Sequence, residues 1–233
     1  MESNSESFRL NMIKNNYQYI EKHFLDKSKA LFRFGSIGDG GYYLSPNILL
    51  ESDLLFSGGI SSNLEFEFDF YRFNTTASIL MIDPTVSKWR LLIKGIFRLF
   101  LNKKRKLPYL YNVFIFWDIT SKKRCKHLPL FLDASVSILD LIKKHLGTKN
   151  AILLKLDIEG SEYDFLEEIL LNLDIFSAII FEFHDFHVNC YKVIDFLERS
   201  SNKFSLVFLG INPSGGYDGF EKPKCIELTL ERK

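Results

Sequence analysis

From Asp53 onward, short runs of nearly continuous apolar residues alternate with longer runs in which apolar residues recur every three or four positions. The first pattern suits buried strands and the second amphipathic helices. The strand-like runs are DLLFSGGI (53–60), ASILMIDP (77–84), NVFIFWDI (112–119), NAILLKLDIEG (150–160), FSAIIFEFHD (176–185), FSLVFLGIN (204–212) and KCIELTL (224–230). Between them lie the helix-like runs 86–101, SVSILDLIKKHLG (135–147), SEYDFLEEILLNL (161–173) and VNCYKVIDFLERS (188–200). SSNLEFEFDFYRF (61–73) alternates at period two, which by itself argues strand. Its place after a Gly turn, with Ser61, Ser62 or Asn63 as N-cap, argues helix, and helix is the reading adopted. Ser161 and Asp164 have the spacing of a capping box at the head of 161–173.

Strands alternating with helices at this spacing form an α/β fold with a mainly parallel sheet. The last two strands are joined by PSGGYDG (213–219), too short for a crossover helix, and are expected to be antiparallel neighbours. Seven strands ending in a hairpin, with helices on both faces, is the Rossmann-like layout of class I methyltransferases. Residues 1–50 are expected to form a helical cap segment packing on the core. Residues 51–233 would form the Rossmann-like domain, with a basic insertion at about 88–112.

Composition changes this picture little. The chain has 233 residues, 46% hydrophobic and 25% charged, with 23 Phe promising an aromatic core. Cys125, Cys190 and Cys225 lie far apart, without zinc spacing, which fits a reducing compartment. The polar opening MESNSESFRL does not read as a secretory signal, and no apolar run reaches the roughly 20 residues of a spanning helix. The expected location is cytoplasmic.

Charge changes it more. Between Lys88 and Leu132, twelve Lys and Arg residues stand against the single Asp118, a local balance of +11 in a chain of net +1. Interleaved Trp89, Leu92, Ile96, Phe97, Leu99 and Phe100 suit an interfacial helix on anionic membrane, through residues 88–106. No nucleic-acid module accompanies the charge, so no nucleic acid is expected.

In open α/β sheets, ligands bind beyond the carboxyl ends of the strands. At the first such end, Ser57, Gly58, Gly59, Ser61 and Asn63 form a small-residue turn before a helix. Asp83, followed by Pro84, ends the next strand, where a nucleoside-binding fold places the acid that holds ribose. The G-x-G-x-x-G pattern of nicotinamide enzymes is absent. Asp157 and Glu159 end the central strand, and strand alternation would point both the same way. Glu162 and Asp164 are explained as acids of a first helical turn. His184 ends the neighbouring strand beside carboxylates, where it could serve as a general base.

LLKLDIEGSEYDFLEEI (153–169) resembles the central motif of the FkbM-like methyltransferases, Lys-(apolar)-Asp-(apolar)-Glu-Gly-(small)-Glu. RFGSIGDGGYYL (33–44), LFSGGISSNLEFE (55–67), MIDPT (81–85) and FEFHDF (181–186) are similar to further segments of that family. The resemblance implies an S-adenosylmethionine-dependent O-methyltransferase acting on a hydroxyl, often of a sugar. It implies that Gly58, Gly59, Ser61 and Asn63 cradle the methionine part of the cofactor and that Asp83 holds its ribose. Asp39, Gly40, Gly41 and Tyr42 would close over the site. Asp157, Glu159 and His184 supply the available bases. Ser61 stands where the family usually has a glycine. A divalent metal bridging Asp157 and Glu159 is admitted by their oxygen ligands but not favoured. The rival readings are a metal-dependent nucleotide-sugar glycosyltransferase, with Asp157-Ile158-Glu159 as an Asp-x-Asp-like motif, and a non-catalytic scaffold of the same fold.

Overall fold

A computed structural model describes residues 16–37, 40–61, 63–87, 106–219 and 222–233. The core is a seven-stranded sheet built from β3 (Leu54–Gly58), β4 (Ser78–Ile82), β5 (Cys125–Leu128), β6 (Ile152–Leu156), β7 (Phe176–Phe183), β8 (Phe204–Ile211) and β9 (Ile226–Arg232). Its order is β5-β4-β3-β6-β7-β9-β8, with β5 through β7 parallel and β9 antiparallel to both its neighbours. This is the class I methyltransferase arrangement expected from the alternating pattern. The connection from β3 runs outward to β4, whereas β6 lies on its other side, so a crevice opens at the carboxyl ends of β3 and β6.

The sheet is covered on both faces, and strand alternation sorts its apolar side chains. Phe56, Leu80, Leu154, Ile179 and Phe181 face one core with helices α5 (Ile138–Leu146), α6 (Leu166–Leu171) and α7 (Phe186–Ser200). Leu55, Ile79, Met81, Leu153 and Ile180 face the other, with α2 (Pro46–Glu51), α3 (Glu65–Phe73) and α4 (Lys106–Thr120). Every residue of β3, β6 and β7 is buried, as their unbroken apolar runs require.

Residues 16–51 carry α1 (Asn16–Phe24), then an antiparallel hairpin of β1 (Phe32–Gly35) and β2 (Gly41–Leu44), then α2. The segment is tied to the sheet through buried Glu231. This residue accepts the Ser45 backbone N–H at 2.6 Å, the Ser45 hydroxyl at 2.8 Å and Lys29 Nζ at 3.0 Å. Tyr43 also stacks on Phe208, with ring centroids 4.6 Å apart.

The β1–β2 hairpin lies within a segment expected to be helical, and three further elements differ from the sequence reading. Residues 112–119 are helix within α4, not strand: Ile115, Phe116 and Ile119 are buried at helical spacing. The third strand of the sheet along the chain is instead CKHL, β5, whose polar residues suit an edge position. Residues 161–173 divide into a 3₁₀ turn at Ser161–Phe165, the short α6, and a second 3₁₀ turn at Leu173–Ile175. Gly160 begins the first of these without a side-chain cap, so the Ser161/Asp164 capping box does not form.

Candidate active site

A cavity of about 520 Å³ lies over the carboxyl ends of the central strands. That volume is within the range of small-molecule sites. The turn after β3 forms one wall. Its Gly59 has φ +73°, and a Cβ there would lie 1.6 Å from the Asp157 carbonyl oxygen. Glycine is therefore required by the approach of two strand ends. The Asp157 N–H donates to Gly58 O at 3.1 Å, and the Gly59 N–H to Ile82 O at 2.9 Å, so β3, β4 and β6 end locked together.

Ser61 follows with φ +48°, a left-handed conformation that glycine adopts more easily. Its backbone N–H donates to Asp83 Oδ2 at 2.7 Å. Asp83 Oδ1 accepts the Thr85 N–H and hydroxyl, both at 2.6 Å, so this carboxylate also bridges two loops. Asn63 anchors the hairpin: its Nδ2 donates to Ser36 Oγ at 2.9 Å, and it packs so closely on Gly40 that a Cβ there would lie 2.4 Å from Nδ2.

The floor is a chain of buried polar groups. Lys155, the one charge inside the apolar run of β6, donates to Gly59 O at 2.6 Å. Its Nζ stands 3.8 Å from Asp157 Oδ2 and 4.0 Å from Glu67 Oε1. The Tyr42 hydroxyl, brought in by β2, donates to Asp157 Oδ2 at 3.1 Å. Burial, with Asp157 beside it, raises the Tyr42 pKa well above the ordinary tyrosine value, so the hydroxyl keeps its proton.

At the far wall, His184 Nδ1 lies 2.9 Å from Glu162 Oε1, whose side chain is fully buried. Glu162 also accepts the backbone N–H groups of Ile158 and Gly160. Burial works to lower the His184 pKa, but the hydrogen bond and charge of Glu162, aided by Asp157 and Glu182, raise it to about 9. At neutral pH this histidine holds its proton, which opposes its service as the resting base.

Glu182 Oε1 accepts from Asn212 Nδ2 at 2.7 Å and from the Cys225 thiol at 3.2 Å. Glu182, His184 and Cys225 bring ligand-type atoms within 4.8 Å of one another. Burial and the Glu182 charge push the Cys225 pKa up, which keeps it a thiol that donates to Glu182.

Most of the residues singled out in the sequence meet here: Gly40, Tyr42, Gly59, Ser61, Asn63, Asp83, Pro84, Asp157, Glu159 and His184 line the cavity. Gly41, Ser57 and Gly58 lie behind that lining, and Asp39 falls outside the described residues. Asp157 and Glu159 do not stand side by side, contrary to strand alternation. The strand ends at Leu156, and Glu159 turns into φ +58°. Its side chain is 89% exposed, with Oε2 3.6 Å from His184 Nε2, whereas Asp157 turns toward Tyr42 and Lys155. Glu162 is not a solvated first-turn acid but the buried partner of His184. Lys155, Glu67, Glu182 and Asn212 were not singled out. Of these, Lys155 and Glu182 carried a signal, each as the lone charge in a strand buried on both faces, with Glu182 beside His184.

Residues 104–205 match the Methyltransferase FkbM domain. Among solved structures, the chain is similar to the Methanococcus jannaschii fibrillarin pre-rRNA processing protein, at 12% identity over 88% of this chain and 83% of that one, with a TM-score of 0.42. A second is the O-methyltransferase TomG from Streptomyces achromogenes, involved in tomaymycin synthesis and solved in complex with SAM. It is 10% identical over 80% of this chain and 76% of that one, with a TM-score of 0.43. A third is the precorrin-6y C5,15-methyltransferase from Geobacter metallireducens GS-15, 11% identical over 81% and 86%, with a TM-score of 0.42. No curated protein sequence matches the chain.

Proposed function

We propose that the chain, whose residues 104–205 match the Methyltransferase FkbM domain, moves the methyl group of S-adenosylmethionine to a hydroxyl of a sugar or glycan precursor. The residues present fit that cofactor. The cavity carries a buried acid at the end of β4, Asp83, where a nucleoside-binding fold holds ribose. Leu130, Phe131 and Leu132 add an apolar wall for a flat ring. When bound, S-adenosylmethionine supplies a methyl group on a positively charged sulfonium.

The observation that carries the reading is the Asp157 carboxylate. It is held at the cavity by Tyr42 and Lys155, between the glycine turn and the protonated His184. Asp157 takes the proton of the acceptor hydroxyl. The Tyr42 hydroxyl fixes its orientation, which counts in a reaction governed by alignment of the reacting groups. His184, already protonated, offers its Nε2–H to oxygen at the far wall. Polar groups of the cavity lining, Asn63, Glu159, Asn212 and Ser214, suit an acceptor with several hydroxyls.

The test is calorimetric titration of the chain with S-adenosylmethionine, followed by methyl-transfer assays on a panel of glycan acceptors with wild type and Asp157→Asn. Micromolar binding is expected, with turnover on a glycan that falls by about 10²- to 10⁴-fold in the variant. No binding of the cofactor sinks the reading and returns the nucleotide-sugar alternative; turnover unchanged in Asp157→Asn removes the base from its role.

A membrane location for this activity is favoured by α4. Tyr111, Phe114 and Trp117, three residues apart, expose large aromatic side chains directly after the basic stretch 88–106. The contact proposed is a peripheral one; among the described residues no helix is long and apolar enough to cross a membrane.

A further inference from the structure

Glu67 is 1% exposed, and its two carboxylate oxygens are treated differently. Oε1 accepts the Ser57 hydroxyl at 2.5 Å. Oε2 is buried and has no hydrogen-bond partner among the described residues. A buried carboxylate oxygen without a donor is costly, and native proteins rarely keep one. Lys155 does not meet the need, because its Nζ stands 4.0 Å from Oε1 and gives its short hydrogen bond to Gly59 O. Lys155 is the one cation set between the two acids Glu67 and Asp157, so this part of the floor holds more acidic than basic groups. Glu67 and Gly59 both line that cavity, beside the turn after β3 that the sequence resemblance gives to the methionine part of the cofactor.

Resting on that reading, we infer that Glu67 is the anchor for the cofactor's α-amino group, with Oε2 accepting one N–H of the ammonium. A cation with several N–H donors supplies the charge and the hydrogen bond that the buried oxygen lacks. A carboxylate group there would meet repulsion, and an apolar group would leave Oε2 unpaired. The Ser57 hydroxyl holds the other oxygen, so the acid is oriented before any ligand arrives. Burial also raises the Glu67 pKa, and an arriving cation favours its ionised form. Glu67 is thus a binding and positioning residue for the cofactor, reached from α3 and separate from the base Asp157.

The test is calorimetry on the full chain with three ligands. These are S-adenosylhomocysteine, its analogue with the α-amino group replaced by hydrogen, and 5′-methylthioadenosine, which lacks the whole amino-acid part. In wild type, removal of the amino group is expected to weaken binding by about 10- to 100-fold, the scale of a charge-assisted hydrogen bond. Glu67→Gln should weaken S-adenosylhomocysteine by a similar factor and leave the other two within about two-fold. Equal binding of the first two ligands to wild type overturns the inference without need of any variant. So does a Glu67→Gln protein that loses all three ligands alike, since that marks a purely structural role. Wild type that binds none of the three instead overturns the methyltransferase reading on which the inference rests.

Discussion

Glu162 is one of four acids crowded behind the central strand, and its neighbours in space give it a role its neighbours in sequence do not. Held by two backbone N–H groups, it fixes the charge state of His184. A histidine whose pKa rises on folding from an ordinary 6.5 to about 9 adds stability that is complete below about pH 6.5 and is lost as pH rises through 9. The His184 side chain is 21% exposed, so screening is modest and the contribution is on the order of 3 kcal/mol. Urea unfolding at pH 6 and pH 10 should therefore show a large stability gap between wild type and His184→Gln that narrows at the higher pH; a gap independent of pH refutes the pairing. Tyr42→Phe removes one hydroxyl donor from Asp157 at little volume cost. It should reduce kcat by about tenfold while leaving the unfolding free energy within about 1.5 kcal/mol of wild type. Unaltered kcat would show that Tyr42 does not orient the base. Sequence pattern located these acids but not their directions, because the turn at Glu159 into a left-handed conformation breaks the alternation on which direction was judged.

At the scale of elements, periodicity succeeded where burial follows one rule and failed where two surfaces compete. The runs of β3, β6 and β7 are buried on both faces and read as strands without difficulty. NVFIFWDI is equally apolar, yet it is helical because one side packs through Ile115, Phe116 and Ile119 while Phe114 and Trp117 point outward. A helix apolar on two sides has no amphipathic signature. β5 failed in the opposite sense: at the sheet edge it needs few apolar residues, and Arg124 just before it is held by the carbonyl oxygens of Ala77 and Tyr71. The hairpin of β1 and β2 was missed within a segment expected to be helical. The turn after β3 carries its own cost at Ser61. Ser61→Gly relieves the left-handed backbone but gains chain entropy in the unfolded state, so the two effects partly cancel. Thermal unfolding should place it within about 1 kcal/mol of wild type, whereas Ser61→Val, branched at Cβ, should lose about 1–3 kcal/mol. A stable Ser61→Val protein would contradict the strain.

Across the whole molecule, the alternation of strands and helices pointed to a mainly parallel seven-stranded sheet even with one strand placed at 112–119 instead of β5, because crossover chirality and buried parallel strands leave few arrangements. The charge map is the part that the sheet does not use. Arg124 is engaged in the fold and Lys122 pairs with Asp118 at 2.7 Å, so the surplus charge rests mainly on residues 88–106. Immediately after it, α4 presents Tyr111 and Phe114 to solvent, a costly exposure for a soluble surface unless something covers it. The proposed contact with a bilayer rich in anionic lipid would answer both features: each Lys or Arg near such a surface contributes about 1 kcal/mol, and aromatic rings suit the headgroup region. Co-sedimentation with phosphatidylserine-containing vesicles should therefore be strong at low salt and weak at high salt. Phosphatidylcholine vesicles should retain little protein. Tyr111→Ser with Phe114→Ser should release it from anionic vesicles by about tenfold or more, since two buried rings are each worth more than 1 kcal/mol. Cofactor binding should be unchanged in that double variant, because neither residue lines the cavity. If the variant and wild type sediment alike, the aromatic stripe has another use; if neither binds anionic vesicles, the enzyme does not work at a membrane.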